Sequence, residues 1–505
     1  MRNRWAVLGV LAAALAVISL DNTIVNVALP TLQEDLGAST SQLQWVVDAY
    51  SVMFAGCLLL AGSLGDRFGR RRILLIGLVV FALGSAGAAL STSADALTAW
   101  RAFMGVGGAF IMPSTLSVLV HVFDRPAERA QAIGIWAAVA GLGVAVGPIV
   151  GGLLLEAFSW HAIFWVNPIL VAVVFVATLV LVPESKDPSR PRLDIPGAVL
   201  SAAGLICLIV TIIELPDQGV TAFTVSTAVG AVVLLGSFVW WEGRAPRPIL
   251  PMSLFRQRLF STAVITVGLV YFGLMGAMFF LPQFLQLVQG LSPLESGVAV
   301  LPGALGLFAA SIVSPRLAER FGTRVIVVMG MSAAALGVAS FSLLQVGSSA
   351  FVVGGTFALV GLGLGMVLPQ ATNAVLASVP RERSGMGSAV NDAVGELGGS
   401  LGVAILGAAM ALTYRLHIED AIAAAGDAAR SVPPAALEAA RESLAAASLV
   451  AGRLPGDLVE PFRRVTSEAF TSGMGWALLL GASVMAAGAV LAWLRFPDRV
   501  ERAEE

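Results

Sequence analysis

"LGDRFGRRRILLIG", residues 64–77, and "LAERFGTRVIVVMG", residues 317–330, share Leu, Arg, Phe, Gly, Arg, Ile and Gly in register, and the acid Asp66 is matched by the acid Glu319. Each basic turn follows the second long apolar run of a block of six such runs. The chain therefore reads as two related halves. A run needs about 20 apolar residues, each rising 1.5 Å, to cross a bilayer as a helix. Fourteen runs qualify, near residues 5–29, 43–64, 73–92, 96–122, 131–155, 161–182, 195–215, 221–241, 259–288, 296–315, 323–345, 349–378, 387–413 and 470–494. The expected fold is all-α and polytopic, with 14 transmembrane helices: six-helix bundles at residues 1–185 and 259–505, and two inserted helices at 186–258.

Composition excludes most other classes. The chain is 57% hydrophobic and 12% charged, where a soluble chain carries roughly a quarter charged residues. Its mean hydropathy is +0.87. A net charge of -2 and a single lysine, Lys186, among thirty basic residues leave no basic stripe for nucleic acid. Cys57 and Cys207 lie inside apolar runs, and His121, His161 and His417 are scattered at run ends. Neither a disulfide framework, a metal site nor a cofactor is expected from them. The run from Trp5 to Leu29 exceeds the 7 to 15 residues of a signal-peptide core, so it is expected to stay as the first helix.

The distribution of arginine tests the span count independently of hydropathy, because cytoplasmic loops collect basic residues. Taken alternately from the N-terminus, the connections on one side hold 23 of the thirty Lys and Arg residues, in segments such as "DRFGRRR", "KDPSRPR" and "PRLAERFGTR". The connections on the other side hold none, apart from a long outer loop at 414–469 in which six arginines are balanced by eight acids. Long loops obey the rule poorly. Both termini are expected in the cytoplasm, and the protein in the bacterial inner membrane as a multi-pass monomer. The alanine-rich outer loop reads as a short surface helix or helical hairpin.

Several motifs give the chain a resemblance. "GSLGDRFGRRR" at 62–72, "LTAWRAFMGVGGA" at 97–109, "GLGVAVGPIVGG" at 141–152 and "LDNTIVNVALP" at 20–30 are similar to signatures of the major facilitator superfamily, and within it of the fourteen-span drug:proton antiporters. Met104 departs from the fourth-span motif, which usually carries glutamine there. The resemblance implies gating roles for Gly62, Gly65, Asp66, Arg67, Gly69, Arg70 and Arg71 in the first basic turn, and for Gly143, Gly147, Pro148, Gly151 and Gly152 in the fifth span. Physically, Gly65 and Gly69 permit a tight turn. The arginines suit anionic headgroups, and Asp66 suits a neighbouring helix N-terminus. Small-xxx-small spacing in the fifth span allows close helix approach, and Pro148 favours a bend.

Intramembrane charges cost about 2.5–3.5 kcal/mol each, so they mark partners or watery cavities. Asp21, Asp48 and Arg101 all fall in the outer half of the first block, and Arg101 is expected to pair with Asp21 or Asp48. Asp392 and Glu396 are four residues apart and share one face of the thirteenth span. Two carboxyl groups this close repel when both are ionised, which suits groups that exchange protons. Asn26, Trp136, Tyr271, Phe279 and Phe280 join Asp392 and Glu396 as candidate substrate contacts, an acid beside aromatic rings being what an organic cation requires.

These features point to proton-driven export of hydrophobic or cationic small molecules by alternating access between two bundles. Asp21, Asp48, Arg101, Asp392 and Glu396 are the candidate proton-coupling residues, and no cofactor beyond the proton gradient is needed. The nearest alternative is an exporter of one metabolite or antibiotic; more distant ones are a passive uniporter or a membrane sensor. No phosphate-binding G-x-x-x-x-G-K-[ST] motif and no nucleophile elbow argues for an enzyme.

Overall fold

The computed structural model describes residues 4–38, 40–188, 193–246, 248–425 and 431–498. Arg2, Arg190, Arg192, Arg247, Arg430, Arg499 and Arg502, included in the charge distribution above, lie outside the described residues. The first block comprises α1 (Arg4–Leu36), α2 (Thr40–Phe68), α3 (Arg70–Ala89), α4 (Ala94–Val122), α5 (Pro126–Ala157) and α6 (His161–Leu181). Then come α7 (Ile195–Gln218) and α8 (Ala222–Glu242). The last block holds α9 (Arg258–Gln283), α10 (Pro293–Phe321), α11 (Thr323–Ser340), α12 (Ala350–Ala377) and α13 (Ser384–Ala425), the short α14 (Pro434–Glu442) and α15 (Leu444–Ala451), and α16 (Gly456–Arg495). Fourteen of these are long and apolar enough to cross a membrane, and no strand occurs among the described residues.

Two apolar cores form because each helix turns one face towards its own block. One gathers side chains of α1 to α6, among them Leu11, Leu58, Phe81, Leu116, Ile133 and Phe164. The other gathers α9 to α16 through Phe260, Phe284, Val327, Phe357, Val390 and Met474. With apolar lipid outside, burial alone does not hold such helices together; close packing over small residues does. Gly107 of α4 meets the backbone of Phe81 on α3, and its counterpart Gly363 on α12 meets that of Ala334 on α11. The inserted α7 lies against α2, where Gly56 accommodates Ile206, and also touches α13.

The repeated basic turns fold alike. Gly69 and Gly322 adopt φ of 114° and 90°, a region that favours glycine. The next backbone N–H then donates to the segment leaving the last helix of the same block: Arg70 N to Ser185 O at 2.9 Å, and Thr323 N to Asp498 O at 2.7 Å. The two turns therefore lie on one face, with the ends of α6 and α16.

Two expectations about helix length change. α13 runs on to Ala425 and α16 begins at Gly456, so the outer connection is shorter than 414–469. Hydropathy windows report the lipid-embedded part of a helix, whereas backbone hydrogen bonding continues into polar sequence. Tyr414, Ile418 and Phe462 are buried on the second core, and Ala436, Ala440, Leu444 and Ala447 of α14 and α15 dock on it as well. The outer connection is a packed cap, with His417 and Ser472 hydrogen bonded at 2.8 Å.

Candidate functional site

Three constellations lie on or between the two blocks. The first is centred on Asp21 of α1 and Arg101 of α4, which are 0% and 1% exposed and meet at 2.5 Å. Of the two acids open to Arg101, the structure gives it Asp21; Asp48 is half-buried on α2, two residues before Tyr50. Arg101 also donates from Nε to Val46 O at 3.1 Å, and its guanidinium carbon lies 4.7 Å from the Tyr50 ring centre, within cation–π range. The other oxygen of Asp21 accepts from Asn167 Nδ2 at 2.6 Å, and the same amide reaches Ser85 Oγ at 3.0 Å. A buried polar chain thus crosses the block from α4 through α1 and α6 to α3.

Asn167, Ser85 and Tyr50 were not singled out by sequence. An asparagine next to Pro168 inside an apolar span was the one available signal. Tyr50 is seated where Gly105 and Gly108 leave room: a Cβ on the first would strike its carbonyl, and on the second its hydroxyl.

The second constellation has the opposite electrostatics. Asp392, 4% exposed, accepts from Asn391 Nδ2 at 3.1 Å through one oxygen, while its other oxygen is buried without a partner. Glu396 is half-buried one turn further along α13. No salt bridge engages either acid among the described residues. A carboxylate in this setting carries a desolvation penalty that a proton or an adjacent cation removes. Tyr271 of α9 stands beside them, its ring 3.3 Å from where a Cβ on Gly395 would be.

The other proposed contacts are not gathered at this pair. Phe279 and Phe280 lie more than two turns beyond Tyr271 on α9, about 12–14 Å along its axis. Phe280 is 1% exposed in the second core, and Phe279 is 47% exposed. Trp136 is buried in the first core, its indole N–H donating to Thr115 Oγ1 at 3.1 Å. Asn26 is exposed on α1, its amide 3.4 Å from Asn22 O.

The third constellation joins the blocks at the face bearing the basic turns. Asp66 accepts from the backbone N–H groups of Gly385 at 2.9 Å and Met386 at 3.0 Å, at the start of α13, and from Arg70 at 2.8 Å. An acid at a helix N-terminus satisfies donors that have no partner within the helix. Arg70 is 1% exposed and donates to the carbonyls of Arg381 at 3.0 Å and Glu382 at 2.8 Å. A headgroup-binding role is therefore wrong for Arg70, because its buried charge is taken up by Asp66 and by carbonyls of the opposite block. Arg71 instead reaches Val182 O at 3.3 Å, and Arg67 lies over Phe68. Arg381 with Asp124 at 2.6 Å, and Arg129 with Asn373 at 2.8 Å, add two more crossings.

Glycines permit the approach. A Cβ on Gly62 would strike the Gly385 carbonyl, and one on Gly134 would lie 2.6 Å from Ser311 O. A Cβ on Gly65 would meet nothing closer than Arg70 at 3.8 Å among the described residues. In the second half of α5, Gly143, Gly147 and Gly151 face Ser19, Thr23 and Ile24 of α1, within their own block, and Pro148 lies inside that stretch. Gly152 does not join them; a Cβ on it would meet no other described residue within 4 Å. The blocks are sealed at the basic face.

Two membrane-embedded bundles, a charged latch between them and lone acids at mid-helix define a multi-pass membrane transporter rather than an enzyme. The chain belongs to the Major Facilitator Superfamily, whose family model matches residues 11–403. It is 36% identical over 493 residues to the multidrug efflux pump LfrA of Mycolicibacterium smegmatis, covering 97% of this chain and 96% of that one. It is 35% identical over 512 residues to the tetracenomycin C resistance and export protein of Streptomyces glaucescens, covering 100% and 94%. The human organic anion transporter MFSD10 has the same fold, with a TM-score of 0.63 at 16% identity over 97% of this chain and 99% of that one.

Proposed function

We propose that the protein exports hydrophobic, cationic small molecules from a bacterial cell in exchange for protons, by alternating access and as a monomer. Residues 1–185 and 259–505 are the moving bundles, 186–258 is inserted between them, and the basic face with both termini is cytoplasmic. The observation that carries this reading is the contrast between the two acid sites: Asp21 is neutralised by Arg101, whereas buried Asp392 and half-buried Glu396 have no counter-charge among the described residues. Such a pair is stabilised by a proton or by an organic cation, and both cannot be held at full strength together. Competition of this kind is what couples exchange. The names of the relatives support drug export as the direction and class.

Driving force is sufficient. For a neutral substrate, each 100 mV is worth about 2.3 kcal/mol per proton, roughly a fortyfold gradient. For a monovalent cation exchanged one for one, the charges cancel and each pH unit sustains a tenfold gradient. Everted vesicles with an acidic lumen test the proposal through ethidium uptake. Wild type accumulates the dye, and Asp392→Asn and Glu396→Gln do not; undiminished uptake in both variants would contradict it. A dedicated exporter of one metabolite is favoured by the tetracenomycin C relative. It would move one scaffold and leave ethidium, acriflavine and tetraphenylphosphonium untouched.

A further inference from the structure

A cavity of about 490 Å³ opens at the basic face between α9 and α16, away from all three constellations. Its rim carries Arg256, Arg258 and Arg495, and no acid among the described residues lines it. Arg258 is partly used: it donates to the carbonyls of Leu494 at 2.5 Å and Arg495 at 2.9 Å and so closes the end of α16. The side chains of Arg256 and Arg495 have no hydrogen bond or ion pair among the described residues. Other arginines of this face do have acids, as in Arg70 with Asp66, Arg324 with Asp498 and Arg381 with Asp124.

Past Ser261 and Thr262 the wall turns apolar. Phe255, Ile265 and Leu494 are exposed on the outside of the bundle, with Leu491 beside them. Ile265 lies seven residues along α9 from Arg258, about 10 Å into the bilayer. Charge above and hydrocarbon below, in a volume suited to a small-molecule site, match a headgroup phosphate with the first methylenes of its acyl chains. A free phosphate would use the rim and leave the apolar wall uncovered. We propose that this cavity binds one anionic phospholipid, its phosphate held by Arg256 and Arg495 and its chains against Ile265, Leu491 and Leu494.

The test is equilibrium binding of fluorescently labelled phosphatidylglycerol to the full-length protein in a neutral detergent. Unlabelled phosphatidylglycerol should displace the probe, and phosphatidylcholine and glycerol 3-phosphate should not. Each interfacial arginine contributes enough that R256Q/R495Q weakens binding about thirtyfold. R256K/R495K stays within about threefold of wild type, and R316Q/R320Q, which removes the same charge from α10 on the same face, changes nothing. Equal binding by wild type and R256Q/R495Q overturns the assignment, as does equal loss in R316Q/R320Q. Displacement by phosphatidylcholine would show that the site does not select a net anionic headgroup, and displacement by glycerol 3-phosphate would make it a phosphate site; either result also overturns it.

Discussion

Replacing Asp66 with Asn isolates the latch between the blocks with almost no change of volume. The carboxylate accepts from two backbone N–H groups of α13 and from Arg70. An amide keeps one acceptor and turns a donor towards donors, so one charge-assisted bond is lost and another weakened. Hydrogen bonds to charged groups are worth about 1.5–3 kcal/mol each. The two bonds from α13 cross between the blocks and are lost when the basic face opens, whereas the Arg70 bond lies within the first block, so the sealed state loses about 2–3 kcal/mol relative to its alternative. The ratio of the two states then moves about 30- to 150-fold. Double electron–electron resonance reads this directly, after Cys57 and Cys207 have been replaced. Spin labels at Arg72 and Arg316 span the basic face, and labels at Leu90 and Phe351 span the opposite end. Asp66→Asn should lengthen the first distance and shorten the second. A ratio of states within about threefold of wild type would refute the latch.

Further expectations concern stability. Asp21→Asn leaves Arg101 buried without its counter-charge and should cost about 3–5 kcal/mol in denaturant unfolding. Asp21→Asn/Arg101→Met should recover most of that loss, and simple additivity of the two single changes would argue against a coupled pair. Gly147→Ala places a Cβ against Thr23 and Leu20 of α1 and should lower the midpoint of thermal unfolding. Gly152→Ala meets open space on the same helix and should leave the midpoint unchanged or raise it; matching losses in both would remove the α1–α5 seam from the account. Asn167→Val deprives Asp21 and Ser85 of a shared donor and should cost about 1–3 kcal/mol in the same unfolding assay.

Hydropathy and arginine placement made the fourteen spans legible because lipid imposes one length and one polarity on every crossing. They were silent on where α13 ends and α16 begins, since those extensions lie beyond the apolar windows. Asp21 and Arg101 were legible because a charge in lipid demands a reason. Asn167, Ser85 and Tyr50 were not, since an uncharged polar group in a span is cheap enough to occur without function. The role of Arg70 was hidden for a different reason: the carbonyls that hold it, at Arg381 and Glu382, lie more than three hundred residues away. The aromatic set is dispersed because Trp136 packs in the first core and the α9 rings differ in axial position. Tyr271 faces α13 beside Gly395, and Phe280, nine residues on, is level with a different part of that helix.

In the proposed cycle a proton and an organic cation compete for Asp392 and Glu396. Adding ethidium to purified protein in weakly buffered detergent solution, and measuring the protons released, tests it without vesicles or gradients. Wild type should release about one proton for each dye bound, and Asp392→Asn/Glu396→Gln none. Dye binding without proton release in wild type, or undiminished release in the double variant, would contradict the account.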